Sequence, residues 1–134
     1  MKYVTFKVGK DDFGIPVDQV KEVVSAHSMQ AMPGVEKEWL GVITLHQHSL
    51  AVFNLHKMLG FEPKTSPYIM VVTLKPQLLG LPIDGILGVL EINDHQVDLA
   101  EKMLGISGVA RVEGRTLFLL NLASLLGEHE KAAS

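Results

Sequence analysis

The chain has 134 residues, 47% of them hydrophobic, no cysteine and a formal net charge of −3. That length suffices for one domain or for two small lobes sharing a core, and the lack of cysteine excludes disulfides and thiolate chemistry. The acidic balance and the 6% aromatic content argue against nucleic acid as a partner, which calls for a basic face.

Val4, Phe6 and Val8 alternate with Thr5 and Lys7, which predicts a half-buried first strand. Val8–Asp12 is polar and contains glycine, a hairpin loop. Phe13–Val17 returns as a second strand with Pro16 at an edge or bend, and Val20–Val24 is a third apolar stretch. Gly41–Gly60 then reads as two strands around a tight bend, followed by a short helical stop at Leu55, Met58 and Leu59. Tyr68–Leu74 is apolar on both faces and is expected to lie inside a sheet. It is also far too short to span a bilayer. The N-terminal MKYVTFKVGKDDF lacks a signal peptide's layout, so a cytoplasmic location without membrane insertion is expected. The tail Glu128–Ser134 is expected to fray.

The chain says most of this twice. Gly41–Gly60 matches Gly108–Gly127 without a gap at an offset of 108 − 41 = 67. Val4–Lys7 matches Val72–Lys75 at 73 − 5 = 68, and Phe13–Val24 matches Leu79–Leu90 at 84 − 18 = 66. The change of offset falls in a hairpin loop, where deletions are tolerated. Two copies are too few for a solenoid, so two similar lobes are expected. Each would hold about five short strands and one helical turn, the first spanning about 10–75 and the second about 76–127. Closed barrels avoid exposed edges at this strand length.

Candidates for chemistry are few. His46 and His48 are two residues apart and could supply half a zinc site, with His56 ten residues after His46. No Asp, Glu or Cys lies between Leu40 and Phe61 to complete it. A small-ligand or metal-sensing barrel using this hairpin is the rival from a different class. Asp18 and Asp84 recur in the repeat but suit turns or caps, and Asn54 and Asn121 suit the N-caps of the helical turns that follow them. Arg111 and Arg115 flank Glu113-Gly114, where they could bind an anion, though exposed hairpin arginines are usually solvated. There is no nucleophile elbow, phosphate loop or HExxH, so no enzymatic activity and no cofactor are expected. Interaction fits better: a helix could dock its apolar face in a groove between lobes, lined by Val20 and Val23 with their twins Ile86 and Val89.

Phe13-Gly14-Ile15-Pro16-Val17 running into Val20-Lys21-Glu22-Val23, then Met32-Pro33-Gly34, Gly41-Val42-Ile43 through Asn54-Leu55, Leu79–Leu90 and Gly108–Leu126 resemble the CheW-like domain. The resemblance covers Tyr3 to Leu126. It implies an all-β fold of two intertwined five-stranded SH3-like barrels with short helices, the first strand (2–8) belonging to the second barrel. It implies a monomeric, non-enzymatic adaptor between the cytoplasmic tip of a chemoreceptor and the regulatory domain of the histidine kinase CheA. Val20, Glu22 and Val23 match the receptor-facing motif. Where the family typically carries Asn-Leu-Arg-Gly, this chain has Thr44-Leu45-His46-Gln47, and Asn54 replaces the usual Asp. By the resemblance, His46 takes the place of an arginine that pairs with the glutamate matched by Glu22. A diverged scaffold serving another kinase pathway is the nearer rival.

Overall fold

The computed structural model describes residues 1–26, 29–31, 38–62, 65–99 and 105–126. Met32-Pro33-Gly34, Gly127 and the tail Glu128–Ser134 lie outside the described residues. Among the described residues, twelve strands run in chain order. They are β1 (Lys2–Val8), β2 (Asp11–Pro16), β3 (Val20–Ser25), β4 (Gln30–Ala31), β5 (Trp39–Leu45), β6 (His48–Phe53), β7 (Tyr68–Leu74), β8 (Gln77–Ile83), β9 (Gly85–Glu91), β10 (Val97–Leu99), β11 (Ile106–Val112) and β12 (Arg115–Leu120). Helix α1 covers Leu55–Met58, and a second helical turn covers 122–126.

The chain divides into two compact units, one of Met1–Asp18 with the chain from Ile86 onward, the other of Gln19–Gly85. The first holds a sheet ordered β10-β11-β12-β2-β1-β9; the second holds β4-β5-β6-β8-β7-β3. Mapped through the repeat, these orders are the same: β4, β5 and β6 are the twins of β10, β11 and β12, β8 and β7 those of β2 and β1, and β3 that of β9. The hairpins are exchanged, however. β1–β2 from the first copy completes the sheet of the second, and β7–β8 from the second copy completes the sheet of the first. The lobe bounds expected from the repeat, 10–75 and 76–127, therefore differ from the units observed. Hydrogen bonding, not copy number, assigns each hairpin. Each sheet also has a sixth strand, β4 or β10, of two or three residues, too short to leave a periodic pattern.

The exchange depends on one unusual contact, a parallel pair inside each sheet. β12 runs parallel to β2, with Leu117 opposite Asp12 and Leu119 opposite Gly14, and β6 runs parallel to β8, with Val52 opposite Gly80. The glycine shared by the two copies sits at this crossing. A Cβ on Gly80 would lie 2.9 Å from Ile69 Cγ2 and 3.2 Å from Val52 Cγ2, and one on Gly14 would lie 3.3 Å from Leu119 Cδ2. The proline two residues on, Pro16 or Pro82, lies beyond these parallel pairs, where its missing N–H costs the parallel pairing nothing.

The cores repeat as well. Ile43, Leu50, Val52, Ile69 and Val71 cluster in one unit; Ile92, Ala110, Val112, Leu117 and Leu119 cluster in the other. Ile43/Ala110, Leu50/Leu117 and Val52/Leu119 are each 67 apart. β7 lies between β3 and β8, which explains why Ile69, Met70, Val71 and Val72 are all buried. Phe6 stacks on Phe13, and Phe13 tilts against Phe118 at 5.7 Å between ring centres. Both helical turns are capped alike: Asn54 Oδ1 accepts from the Lys57 N–H, and Asn121 Oδ1 accepts from the Ser124 N–H at 3.0 Å.

Ile69 and Val52 are β-branched and cannot swing aside cheaply, whereas the contact at Gly14 is the end of a leucine. Gly80→Ala is therefore expected to destabilise the protein by about 1–3 kcal/mol, the range for overpacking, and Gly14→Ala by less. Chemical denaturation of both variants checks the order.

Candidate functional site

β3 and β9, twins in the repeat, each form an edge of their sheet. An edge strand with outward apolar side chains is a surface made for a partner. On β9 the exposed residues are Ile86, Leu87, Val89 and Glu91, with Val89 55% exposed, while Leu90 packs on its own unit's core. Thr5 Oγ1 donates to Gly88 O at 2.8 Å and ties this strand to β1.

On β3 the pairing is Glu22 with Val71, Val23 with Met70 and Val24 with Ile69 of β7, with a bulge between Val20 and Glu22. Burial alternates: Val20, Glu22 and Val24 are half-buried, and Lys21, Val23 and Ser25 are exposed. Val24 rests on the core. The three residues singled out on this strand therefore do not form one surface. Val23 points away from the side that Glu22 shares with Val24, because strand side chains alternate.

Glu22 meets the β5–β6 hairpin. His46 Nε2 lies 3.2 Å from Glu22 Oε2, with the imidazole 73% exposed, so the pairing implied by the resemblance is present. It is charged only when His46 is protonated and, so exposed, contributes little to stability. The hairpin tip is a two-residue turn with φ of 51° at His46 and 67° at Gln47. Its twin has 52° at Glu113 and 78° at Gly114. Both turns are of the primed kind that suits a two-residue hairpin, but only the twin places glycine where the left-handed conformation is free of strain.

His46 belongs to this turn and His48 opens β6, so the two do not share one strand's face. Among the described residues no group of three or more His, Cys, Asp or Glu side chains is placed to hold a metal ion. The aspartates of the repeat also part company: Asp18 is exposed, whereas Asp84 is half-buried beside the buried His56. His56 Nε2 lies 3.0 Å from Asp84 Oδ2, and Ser66 Oγ donates to Asp84 Oδ1 at 3.2 Å. Asp84 holds the bend between β8 and β9, as expected of a turn residue, and there also anchors a polar cluster with His56 and Ser66. Ser, His and Asp invite comparison with a hydrolase triad, but Ser66 and Asp84 both approach the same nitrogen, Nε2. A triad needs them on opposite ring nitrogens. The cluster escapes the sequence because its members are 10 and 28 residues apart and lie in no motif. Arg115 is drawn to Asp12, at 3.4 Å, which Lys7 also bonds.

A duplicated pair of β-barrel units, with paired apolar edge strands, is the build of a protein-interaction module. The family model of the CheW-like domain matches residues 2–130, and the chain belongs to that family. It is 28% identical over 141 residues to the chemotaxis protein CheW of Rhizobium meliloti (strain 1021), covering 98% of this chain and 90% of that one. It is also 28% identical over 131 residues to the chemotaxis protein CheW of Thermotoga maritima, covering 93% and 87%. The fold matches the crystal structure of the scaffolding protein TtCheW from Thermoanaerobacter tengcongensis with a TM-score of 0.84 over 92% of this chain and 90% of that one, at 22% identity. Two SH3-like barrels are thus the fold, and the family is one of non-enzymatic adaptors. No helix among the described residues is long and apolar enough to cross a membrane.

A non-glycine residue in the left-handed region costs about 1–2 kcal/mol. Gln47→Gly should therefore raise stability, by about 1 kcal/mol once the added freedom of the unfolded chain is offset. Thermal and urea unfolding of the variant measure it.

Proposed function

We propose that this chain is a chemotaxis adaptor that couples chemoreceptors to the histidine kinase CheA in the cytoplasm, acting by binding alone and monomeric on its own. Membership of the CheW-like family over residues 2–130 supports the pathway. The single observation that carries the binding mode is the pair of twin edge strands with exposed apolar side chains, Val23 on β3 and Ile86 and Val89 on β9. An amphipathic receptor helix recognises such residues through its i, i+3, i+4 and i+7 anchors.

On β3, Val23 supplies apolar contact while Glu22, held by His46, supplies a polar one, and Val20 supports the strand from a half-buried position. On β9, Ile86 and Val89 do the same work beside Glu91, which pairs with the N-terminal ammonium of Met1 at 2.9 Å. Apolar anchors supply the affinity, and the Glu22–His46 pair tunes partner choice and on-rate.

Val23→Lys and Val89→Lys each place a charge where solvent already reaches, so both variants are expected to fold. Each should weaken binding of a receptor-tip peptide at least tenfold, which is about 1.4 kcal/mol, and leave binding to the CheA regulatory domain unchanged. Normal receptor binding by both variants would remove the two strands from the receptor surface.

A further inference from the structure

Among the described residues, Glu22 is the only acidic side chain on the six strands of its sheet. Strands β4, β5 and β8 carry no ionisable side chain, β3 adds Lys21, β6 adds His48 and β7 adds Tyr68. Of these groups His46 meets Glu22, Nε2 to Oε2 at 3.2 Å. Lys21 leaves β3 on the opposite side. β7 sets the apolar Val71 opposite Glu22, and Tyr68 pairs with Ser25 at the other end of β3. Lys75 is exposed in the turn between β7 and β8, and His48 is exposed where β6 begins. One carboxylate and one imidazole thus set the charge at this place on the edge strand.

The fold does not call for the pair. The repeat puts Gly88 where Glu22 stands and Glu113 where His46 stands, at 88 − 22 = 66 and 113 − 46 = 67. The twin edge strand forms all the same, its Gly88 carbonyl accepting from Thr5 Oγ1. An exposed ion pair adds little to stability, so what the pair changes is the surface offered to a partner.

The Glu22 side chain is 38% exposed and the imidazole 73% exposed, so a partner seated on β3 takes further water from the carboxylate. That loss is costly unless a cation or hydrogen bonds replace the water. Imidazole is the side chain whose charge changes between about pH 5 and 8, a range in which an ordinary carboxylate stays ionised. With the ring protonated, the covered carboxylate faces a cation and the pair is neutral as a whole. With the ring neutral, the carboxylate keeps one hydrogen bond and its full charge. Docking therefore favours the protonated ring, and by linkage affinity rises as pH falls through the imidazole range and drops as pH rises through it.

We propose that His46 makes docking on β3 proton-dependent: an apolar helix that covers Val23 and Glu22 without bringing a cation of its own binds more tightly when His46 is protonated. This rests on the reading of β3 as a receptor-docking strand and adds its regulation.

The test titrates a histidine-free receptor-tip peptide into the full chain at about pH 5.5 and about pH 8, near the ends of the imidazole range. Binding is expected to be about two- to fivefold tighter at the lower pH, the size of an exposed ion pair. His46→Arg carries a charge that is fixed across this range. It should bind at the higher pH as tightly as the unaltered chain does at the lower, and lose the pH dependence. His46→Gln should bind at both as weakly as the unaltered chain does at the higher. Both substitutions fall in an exposed turn, so both variants are expected to fold, and both keep every other histidine. A pH dependence that survives them overturns the proposal, as does equal or weaker binding by the unaltered chain at the lower pH. Those results leave the receptor reading of β3 standing, whereas no binding at either pH would remove that reading and this proposal together.

Discussion

A parallel strand pair at the centre of each sheet is the constraint from which the rest follows. An antiparallel hairpin can close on itself through a two-residue turn, but parallel strands must arrive from separated parts of the chain. Here β2 is brought to β12 across most of the sequence, and β8 to β6 by way of β7. Because each copy of the repeat lends its first hairpin to the other copy's sheet, each sheet draws its strands from both copies. The repeated glycine follows from the same contact: with Ile69 and Val52 methyls 2.9 and 3.2 Å from where a Cβ would stand, the strands approach only if that side chain is missing.

The same arrangement leaves β3 and β9 at the sheet edges. Once a hairpin from the other copy has taken the interior position, the strand paired with its first member, β3 on β7 and β9 on β1, remains at the edge. Its exposed valines and isoleucine are then a cost in solubility of the kind that marks interaction surfaces. Duplication also let the two units drift apart in detail. One hairpin tip kept Glu113-Gly114 while its twin became His46-Gln47 beside Glu22, and one helical turn gained His56 over Asp84 while the other has Ala123.

The repeat was legible because it rests on local chemistry: turn glycines, cap asparagines and alternating apolar residues survive copying at fixed offsets. The burial of Tyr68–Leu74 on both faces and the caps at Asn54 and Asn121 followed from the same signals. What the periodicity did not reveal was which hairpin joins which sheet, since a strand's pattern records how much of it is buried and not which neighbour buries it. For that reason the residues 10–75 looked like a lobe although Asp11–Pro16 pairs with β1 and β12. The site was read less well. Val20, Glu22 and Val23 are adjacent in sequence, but alternation sends them to different sides. Asp84 is marked in the sequence only as the repeat of Asp18, and Ser66 not at all, so neither points to His56.

The hairpin exchange is tested most directly by cutting the chain. A fragment of residues 19–85 holds every strand of one sheet, whereas residues 1–67 hold one complete copy of the repeat but lack β7 and β8. Two-dimensional amide NMR of the two fragments should show dispersed, folded resonances for 19–85 and collapsed, unfolded ones for 1–67. A folded 1–67 beside an unfolded 19–85 would mean that each copy completes its own sheet, and would contradict the account.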